Sequence, residues 1–567
     1  MSFPSIGKAV VRKDGILKVT GAALYSSDAH LPRMAYGVLV PSTIPAGRIR
    51  RLSVDAALSM PGVLGVVPPV NAPRLEPPGT MESGGEFAEH FFPLQDPEIF
   101  FWGQYIAVVV ADTLERAEDA ATQVRADYDR GPFEVDMDRH PAKVFLPDKV
   151  FGTQKVQLSR GDVARGRSEA SVLLKETYRT PFYNHNPMEP HATVADWAEG
   201  ELTVYEPTQW VMGLRSVVSK SFGLGPEKVH VISPFVGGGF GCKGFSWPHT
   251  LAAAMASRQV GRPVKVVLSR SQMFASVGHR GPTRQDLVLG ARTDGTLTVV
   301  EHDTYTQTSI HGIHVETCGL ASAILYQCPN AHISHRVARL NTGTPCPTRA
   351  PGEAPGTFAL ESAMDELAEK LRMDPVELRI RNHADDDPQE GKPWSSKHLI
   401  ECYERGAALF GWSRRTPEPR SMRADGDWVG YGMATAVYPA NKRPAAAAVR
   451  IYPDGRVLVR VATQDLGTGT YTTLAQVAAD TVGTDVERVS CEIGDSTLPP
   501  AGVSGGSSTT ASVAPIVREA AAQLRKRLEG FASLAEAFRI SGGDYLEEES
   551  GRQTSPPQSG AKPPFTA

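Results

Sequence analysis

The sequence predicts a fold that mixes helices and strands in about three to four domains or lobes. Its 567 residues give that number at roughly 150 residues per domain. Hydrophobic residues make up 41% and charged residues 22%, which is typical of a globular chain and excludes wholesale disorder. Short apolar runs and segments with helical periodicity alternate along the chain, separated by turns rich in glycine and proline.

Residues 1–135 are predicted to form one unit. The continuous apolar run Tyr105–Ala111 is typical of a strand that is covered on both faces, and residues 36–41 and 62–67 are shorter strand candidates. Apolar side chains three and four positions apart predict a helix over residues 114–128. The prolines and charges of residues 136–155 predict a linker.

The longer remainder continues the mixed pattern. Asp374 followed by Pro375 and Glu377 is a typical helix start, with a cap, a first-turn proline and an acid. Residues 541–567 are polar and rich in proline, which predicts a disordered tail. Further strands are predicted at 229–234, 264–268, 295–301 and 449–461, and further helices at 250–260, 472–482 and 513–534.

Charge and cysteine content limit the possible partners and location. The formal net charge of −4 gives no support for nucleic acid or an anionic membrane surface as a partner. Six scattered cysteines without a C-x-x-C pair fit reduced thiols, and argue against a zinc finger or an iron–sulfur cluster within this chain. No signal peptide is visible, so the expected location is the cytoplasm, or the periplasm if a signal-bearing partner subunit exports the complex.

A glycine-rich segment, VGGGFGCK at residues 236–243, follows a predicted strand. Four glycines in five positions allow close approach of backbone N–H groups to a ligand, so a phosphate cradle and a structural turn both remain open. A Walker A loop is excluded because Lys243 is followed by Gly244. The G-x-S-x-G match at residues 502–506 lacks a preceding strand and a downstream histidine, which excludes a serine hydrolase.

Other motifs are weak when each is taken alone. Residues 465–470 (DLGTGT) precede a predicted helix, where exposed N–H groups favour anionic oxygens, but they also fit an ordinary turn. Residues 349–353 (RAPGE) fit a surface loop. The histidine pairs 185/191, 311/314 and 332/335 lack a third ligand at a recognised spacing, so ordinary core or surface histidines are expected.

Taken in order, these segments resemble the molybdopterin-binding large subunit of the xanthine dehydrogenase/aldehyde oxidase family, above all the bacterial periplasmic aldehyde oxidoreductase type. The similarity covers roughly residues 5–535. Its specificity comes from the joint occurrence of several short segments. These are residues 14–21 (DGILKVTG), 103–111, 187–191 (PMEPH), 207–209 (PTQ), 237–243, 349–353, 465–469 and 505–510.

The resemblance implies an α+β fold with an N-terminal α/β hammerhead domain at 1–135, a first molybdopterin-binding lobe at 156–400 and a second, truncated lobe at 401–540. It implies a molybdenum hydroxylase subunit that oxidises aldehydes, or related heterocycles, to carboxylic acids with water as oxygen donor. The implied cofactor is Mo-molybdopterin cytosine dinucleotide. FAD and 2Fe-2S clusters are expected on an FAD-binding subunit and an iron–sulfur subunit, in a heterotrimer.

The resemblance also assigns roles to individual positions. Gln209 matches a glutamine near the molybdenum oxo group, and Arg280 and Arg349 lie in segments that line the substrate pocket. Gly244 stands where some purine-oxidising members carry a glutamate, which favours aldehydes over purines. No residue is expected to bind the metal directly. The cofactor-binding positions are Phe240 and Gly241 at the molybdenum centre, Gly467, Thr468 and Gly469 in a phosphate loop, and Ser508, Thr509 and Thr510 in a second cofactor loop.

One departure from the family pattern concerns the catalytic base. The family's general-base glutamate lies in a G-x-G-E segment near the end of a longer chain, and this sequence contains no such segment. Residues 547–549, three consecutive glutamates, do not match it. The resemblance therefore leaves two readings: the base comes from a separate polypeptide, or the chain is a truncated, non-catalytic remnant.

Overall fold

The computed structural model describes residues 4–78, 88–89, 91–139, 144–150, 154–439, 441–551 and 565–566. Helices and sheets both contribute throughout these ranges, as the mixed sequence pattern predicts. The helices are Gly15–Val19, Asp55–Leu58, Leu114–Ala121, Val163–Ser168, Val211–Phe222, Pro248–Val260, Arg270–Ser276, Leu320–Ile324, Glu353–Leu371, Pro375–Arg381, Leu399–Phe410, Thr470–Val482, Thr509–Leu528 and Leu534–Ser541.

The first sheet joins the N-terminal unit to the region that follows it. Ala35–Pro41 pairs antiparallel with Tyr105–Ala111 on one side and parallel with Val264–Val267 on the other. All seven residues of Tyr105–Ala111 are buried, as its apolar run predicts. In spatial order the strands are Val229–Ile232, Glu201–Tyr205, Ala192–Ala198, Val264–Val267, Ala35–Pro41, Tyr105–Ala111 and Val63–Val67.

A glycine makes this shared sheet possible. A Cβ on Gly37 would lie 2.8 Å from a Val266 methyl group and 3.1 Å from one of Val264, so only glycine leaves room for that contact. The helix Pro248–Val260, with ten buried residues, covers the sheet. The unit predicted at 1–135 therefore shares its largest sheet with residues 192–267 and is not built around a separate one.

The second sheet contains the long central strands of the chain. Leu297–Ser309 pairs parallel with Ala331–Leu340 and antiparallel with Thr283–Ala291. The helix Glu353–Leu371 buries its apolar face against this sheet. The other strands are Gln157–Arg160 at one edge, Val172–Thr180 at the other, and Val144–Phe145, which pairs with Ala331–Leu340.

The third sheet carries two of the last three helices of the described chain. Thr470–Val482 and Thr509–Leu528 pack on it through buried alanine, leucine and valine side chains. Its strands, in spatial order, are Val489–Ile493, Val457–Val461, Ala446–Ile451 and Leu546–Gly551.

The last of these strands corrects the prediction of a disordered tail from residue 541. Leu546–Gly551 pairs antiparallel with Ala446–Ile451, buries Leu546 and Ser550, and forms an ion pair between Glu547 and Arg450. A polar edge strand buries too little apolar surface to be recognised from hydropathy. Beyond Gly551, only residues 565–566 of the tail are described, and they pair with Tyr438–Pro439.

Two predicted helices differ in their limits. The helix predicted over 114–128 ends at Ala121, and Arg125–Arg130 is a strand. The prediction extended the helix too far because the half-buried side chains of this strand also fit a helical spacing. The helix predicted over 513–534 spans Thr509–Leu528, and a second one begins at Leu534 beyond Gly530. By contrast, the helix start at Asp374 is confirmed, since its carboxylate accepts the N–H groups of Val376 and Glu377.

The predicted linker at 136–155 contains short pieces of strand, at Val144–Phe145, Lys149–Val150 and Gln154–Lys155. Residues 140–143 and 151–153 of that segment lie outside the described ranges. Smaller sheets are formed by Gly47–Ser53 with Glu98–Ile99 and Arg125–Arg130, and by Arg423–Ala424 with Asp427–Trp428. In the described part of the chain, no helix combines the length and apolarity needed to cross a bilayer.

Candidate cofactor and substrate site

The glycine-rich segment adopts an unusual backbone conformation. Gly238 and Gly241 have φ of +92° and +116°, and Phe240 has φ of +55°, a left-handed value that non-glycine residues rarely adopt. A Cβ on Gly241 would lie 1.8 Å from the carbonyl oxygen of Pro347. The segment is therefore pressed against the 347–350 loop, and Phe240, 40% exposed, stands out from it.

Gln209 connects this segment to a second loop. Its side-chain Oε1 accepts the N–H of Gly241 at 2.9 Å, and its Nε2 donates to the carbonyl oxygen of Ser504 at 2.9 Å. Its backbone N–H donates to the backbone oxygen of Lys243 at 2.7 Å. The buried amide of Gln209 thus holds the two loops together.

The two predicted pocket arginines occupy different positions. Arg280 is buried, and its Nη2 donates to the carbonyl oxygens of Thr348 at 2.6 Å and Arg349 at 2.8 Å. Its Nε lies 3.5 Å from a carboxylate oxygen of Glu316. Arg280 therefore supports the 348–350 loop from within, whereas the side chain of Arg349 is exposed. The backbone N–H of Arg349 donates to Phe240 at 2.8 Å, which places this arginine beside the glycine-rich segment.

The 465–469 loop is organised by a carboxylate. The buried Asp465 accepts the N–H groups of Gly467 at 2.7 Å and of Gly469 at 3.2 Å on one oxygen, Oδ1. These two amides, which were predicted to hold phosphates, are thus bonded within the loop. Gly467 and Thr468 are exposed, and among the described residues no heavy atom lies within 4 Å of a Cβ placed on Gly467 or Gly469.

A cationic cluster from the N-terminal segment holds the same loop. Arg12 donates to the carbonyl oxygen of Gly467 at 2.9 Å and lies 3.4 Å from the other carboxylate oxygen of Asp465. Lys18 lies 2.5 Å from Asp14. Burial alone would raise the pKa of Asp14, but hydrogen bonds from Arg12 and Lys18 lower it to about 2. The sequence placed Asp14 in a family motif but did not reveal the contact between this N-terminal segment and the 465–469 loop. That contact joins residues more than 450 positions apart.

The predicted second cofactor loop begins a long helix. Ser508 precedes the helix Thr509–Leu528, and its hydroxyl donates to the carbonyl oxygen of Gly505 at 2.7 Å. Thr509 and Thr510 form the first turn, where unbonded N–H groups favour anionic oxygens. Arg443 donates to the Ser508 hydroxyl at 3.3 Å, a contact that nothing in the sequence pattern indicated.

These loops border one region. Gln209 joins the segment around Gly241 to Ser504, and the N–H of Val236 donates to the backbone oxygen of Asp465 at 3.2 Å. The structure therefore brings the predicted cofactor positions together. The helix N-terminus at Thr509 and the exposed Phe240 are the features of this region that suit a large anionic pterin nucleotide.

The histidine pairs are used in packing. His185 bonds to the Thr348 hydroxyl at 2.8 Å, and His335 accepts the N–H of Gly319 at 3.0 Å. Within the described ranges, no group of three or more histidine, cysteine, aspartate or glutamate side chains could hold a metal ion.

A separate cavity of about 230 Å³ includes none of the predicted site residues in its lining. It lies beside the helices Leu320–Ile324 and Leu399–Phe410. Its lining residues are Ile324, Leu325, Trp394, Ser396, Lys397, His398, Leu399, Cys402, Thr435, Ala436 and Val437.

A buried carboxyl group lies behind the glycine-rich segment. Glu206 accepts hydrogen bonds from the hydroxyls of Thr193 and Thr250, each at 2.8 Å, and lies 3.8 Å from His249. Burial raises the pKa of Glu206 to about 7, against the lowering effect of the two hydroxyls. Burial also lowers the pKa of His249 to about 3, so this imidazole is neutral at pH 7.

Glu206→Gln should reduce the pH dependence of stability. Because the folded chain keeps the Glu206 proton up to about pH 7 while the unfolded chain loses it near 4.5, the free energy of unfolding falls as pH rises between these values. The contribution of this group is roughly 3 kcal/mol. Denaturant titrations at pH 5 and 7 should show a smaller decrease for the variant than for the wild type. An equal decrease in both would contradict the assignment.

Comparisons with known proteins place the chain in a family. Molybdopterin cofactor-binding domain profiles match residues 146–383 and 405–554, and the aldehyde oxidase and xanthine dehydrogenase a/b hammerhead profile matches residues 20–132. The chain is 39% identical over 505 residues to the aldehyde oxidoreductase molybdenum-binding subunit PaoC of Escherichia coli O157:H7, which covers 88% of this chain and 67% of that protein.

Two further similarities agree with this result. A putative xanthine dehydrogenase molybdenum-binding subunit of Escherichia coli K12 is 30% identical over 550 residues, covering 92% of this chain and 72% of that protein. The quinoline 2-oxidoreductase structure from Pseudomonas putida 86 has a TM-score of 0.85 at 21% identity, covering 98% of this chain and 79% of that one, which supports the fold. The chain belongs to the molybdopterin-binding subunits of the aldehyde oxidase/xanthine dehydrogenase family, a family of molybdenum-dependent oxidoreductases.

Proposed function

We propose that this molybdenum hydroxylase subunit oxidises aldehydes to carboxylic acids, with molybdopterin cytosine dinucleotide as its cofactor. The observation that carries the proposal is the convergence of the segments around Gly241, Gly467 and Ser508 on one region. The 39% identity to an aldehyde oxidoreductase subunit supports the aldehyde as substrate. Gly244, the position that suggested aldehydes over purines, supports it further.

The residues of this chain would divide the work of binding. The first turn at Thr509 would hold the negatively charged phosphates, and the 465–469 loop, whose Gly467 and Gly469 amides are already bonded to Asp465, would border them. Gln209 fixes the N–H of Gly241, and the 347–350 loop packs against it, so this backbone is rigid before any ligand arrives. When bound, molybdenum supplies a two-electron oxidation that replaces an aldehyde C–H bond with a bond to oxygen from water.

Electron transfer needs partners in this proposal. We infer that the electrons leave through 2Fe-2S clusters to FAD, each on a partner subunit. The names of the relatives support this arrangement, since PaoC is called the molybdenum-binding subunit of its oxidoreductase. The six cysteines, all free thiols and four of them buried, are not grouped as cluster ligands would be.

The test is cofactor analysis of the chain co-expressed with its iron–sulfur and FAD subunits. Elemental analysis should find about one molybdenum per chain, and acid hydrolysis should release CMP, the nucleotide half of the cytosine dinucleotide. Release of no nucleotide would show the shorter pterin form. Molybdenum near zero in the assembled complex would support the alternative of a non-catalytic remnant.

Arg349→Ala should weaken aldehyde turnover. The side chain of Arg349 is exposed and its guanidinium can hydrogen-bond a carbonyl oxygen, while the backbone contact between Arg349 and Phe240 survives truncation. We expect kcat/KM to fall roughly tenfold or more, which corresponds to the loss of one charged hydrogen bond. Steady-state kinetics of the assembled complex provide the measurement. Unchanged kinetics with full molybdenum content would remove Arg349 from the pocket.

A further inference from the structure

A buried ion pair joins the last residue of the glycine-rich segment, Lys243, to Glu189. Lys243, whose side chain has no exposed surface, places its Nζ 2.8 Å from Oε2 of Glu189 and donates to the backbone oxygen of Glu189 at 3.0 Å. Burial lowers the pKa of Lys243, and the adjacent carboxylate opposes this effect. None of the roles assigned above uses either side chain.

The pair closes the segment at both ends. The same oxygen, Oε2 of Glu189, accepts the N–H of Gly237 at 2.7 Å, and the N–H of Glu189 donates back to Gly237 at 3.1 Å. One carboxylate thus holds residue 237 through the main chain and residue 243 through its ammonium group. A Cβ on Gly237 would lie 2.4 Å from the Cβ of Glu189, so no larger residue fits at position 237 without moving Glu189.

The same clamp supports Gln209. The backbone oxygen of Lys243 accepts the N–H of Gln209 at 2.7 Å and the hydroxyl of Thr208 at 3.3 Å. Gln209 in turn accepts the N–H of Gly241. A change at the buried pair therefore moves both the 237–243 segment and the glutamine that orients it.

The buried charges make this arrangement close to all-or-none. A lone ammonium or carboxylate in this position would be desolvated without a counter-ion, which is far more costly than an exposed unpaired charge. The pair and the loop conformation that brings Gly237 to the carboxylate consequently form or open together.

We propose that Glu189 and Lys243 are positioning residues, whose ion pair holds residues 237–243 in the shape that receives the molybdopterin cofactor. This inference rests on the proposed function for the identity of the ligand. It concerns the charges of the pair, since size and packing alone would be preserved by isosteric neutral side chains.

The first test measures cofactor loading. The two loop variants are Lys243→Met and Glu189→Gln. The control is Arg379→Met, which breaks a similarly buried ion pair between Arg379 and Glu361 on the helices Glu353–Leu371 and Pro375–Arg381. In the assembled complex we expect molybdenum per folded chain to fall about tenfold in the first two variants and to stay at the wild-type level in the control. Full molybdenum content in both loop variants would overturn the proposal.

The second test does not depend on the cofactor. Hydrogen exchange of peptides covering residues 237–243 is measured in complex from molybdate-free cultures. Exchange should be about tenfold faster in Glu189→Gln, which keeps the size and one acceptor, and unchanged in Arg379→Met. Unchanged exchange in Glu189→Gln would overturn the clamp. If the wild type itself takes up no molybdenum, the proposed function fails, while this measurement still decides whether the pair holds the segment.

Discussion

Gly241→Ala is expected to abolish cofactor loading and to reduce activity by at least about 100-fold. The new methyl group would overlap the carbonyl oxygen of Pro347, and φ of +116° disfavours any side chain. Backbone strain and overpacking together cost roughly 2–5 kcal/mol, enough to separate the segment from the 347–350 loop. Molybdenum content and aldehyde turnover of the assembled complex measure the effect.

Gly200→Ala is the matched control for this variant. Gly200 has φ of +81° but no heavy atom of the described chain within 4 Å of the added Cβ, so it carries the conformational cost without the overlap. We expect about 1 kcal/mol of destabilisation and normal molybdenum content for the control. Equal loss of molybdenum in both variants would show that general destabilisation, and not the contact with Pro347, is responsible.

Asp465→Ala is expected to disorder the 465–469 loop. The substitution removes the acceptor of two N–H groups and leaves Arg12 and Lys18 with Asp14 as their remaining carboxylate in this cluster. The loss of charged hydrogen bonds at a buried site costs about 3 kcal/mol. We expect a lower denaturation midpoint together with a large loss of bound cofactor, measured by denaturant titration and elemental analysis.

A second aspartate isolates the effect of position. Asp294 accepts the N–H of Thr296 in an exposed turn, which makes Asp294→Ala a comparable loss away from the site. The free energy of unfolding of Asp294→Ala should change much less than that of Asp465→Ala, with full cofactor content. Retention of cofactor in Asp465→Ala would show that the loop does not depend on this carboxylate.

Much of the fold could be predicted where one physical signal was sufficient. Tyr105–Ala111 was located to the residue because a continuous apolar run has few alternatives, and Asp374 marked its helix by capping chemistry. Leu546–Gly551 was missed because an edge strand with three glutamates resembles a polar tail. The sharing of a sheet between Ala35–Pro41 and Val264–Val267 had no local signal at all.

The candidate site divides in the same way. Short glycine-rich motifs indicated the loops around Gly241, Gly467 and Ser508, because glycine allows the backbone to approach a ligand or another chain segment closely. The motifs contained Glu189 and Asp465, but the role of these carboxylates in holding the loops was not predicted. Buried carboxylates are recognised only when their distant partners are known, and spacing along the chain carries no information about them.

The contacts of the N-terminal segment have a consequence for biosynthesis. Ser5 bonds to Asp480, the N–H of Lys13 bonds to Thr472, and Arg12 bonds to Gly467. On the ribosome, residues made first must wait for those made more than 450 positions later. Until then Asp14 lacks its neighbour Asp465, and the 465–469 loop lacks its contacts with Arg12. The 465–469 loop can therefore take its final form only after translation has passed the helix Thr470–Val482.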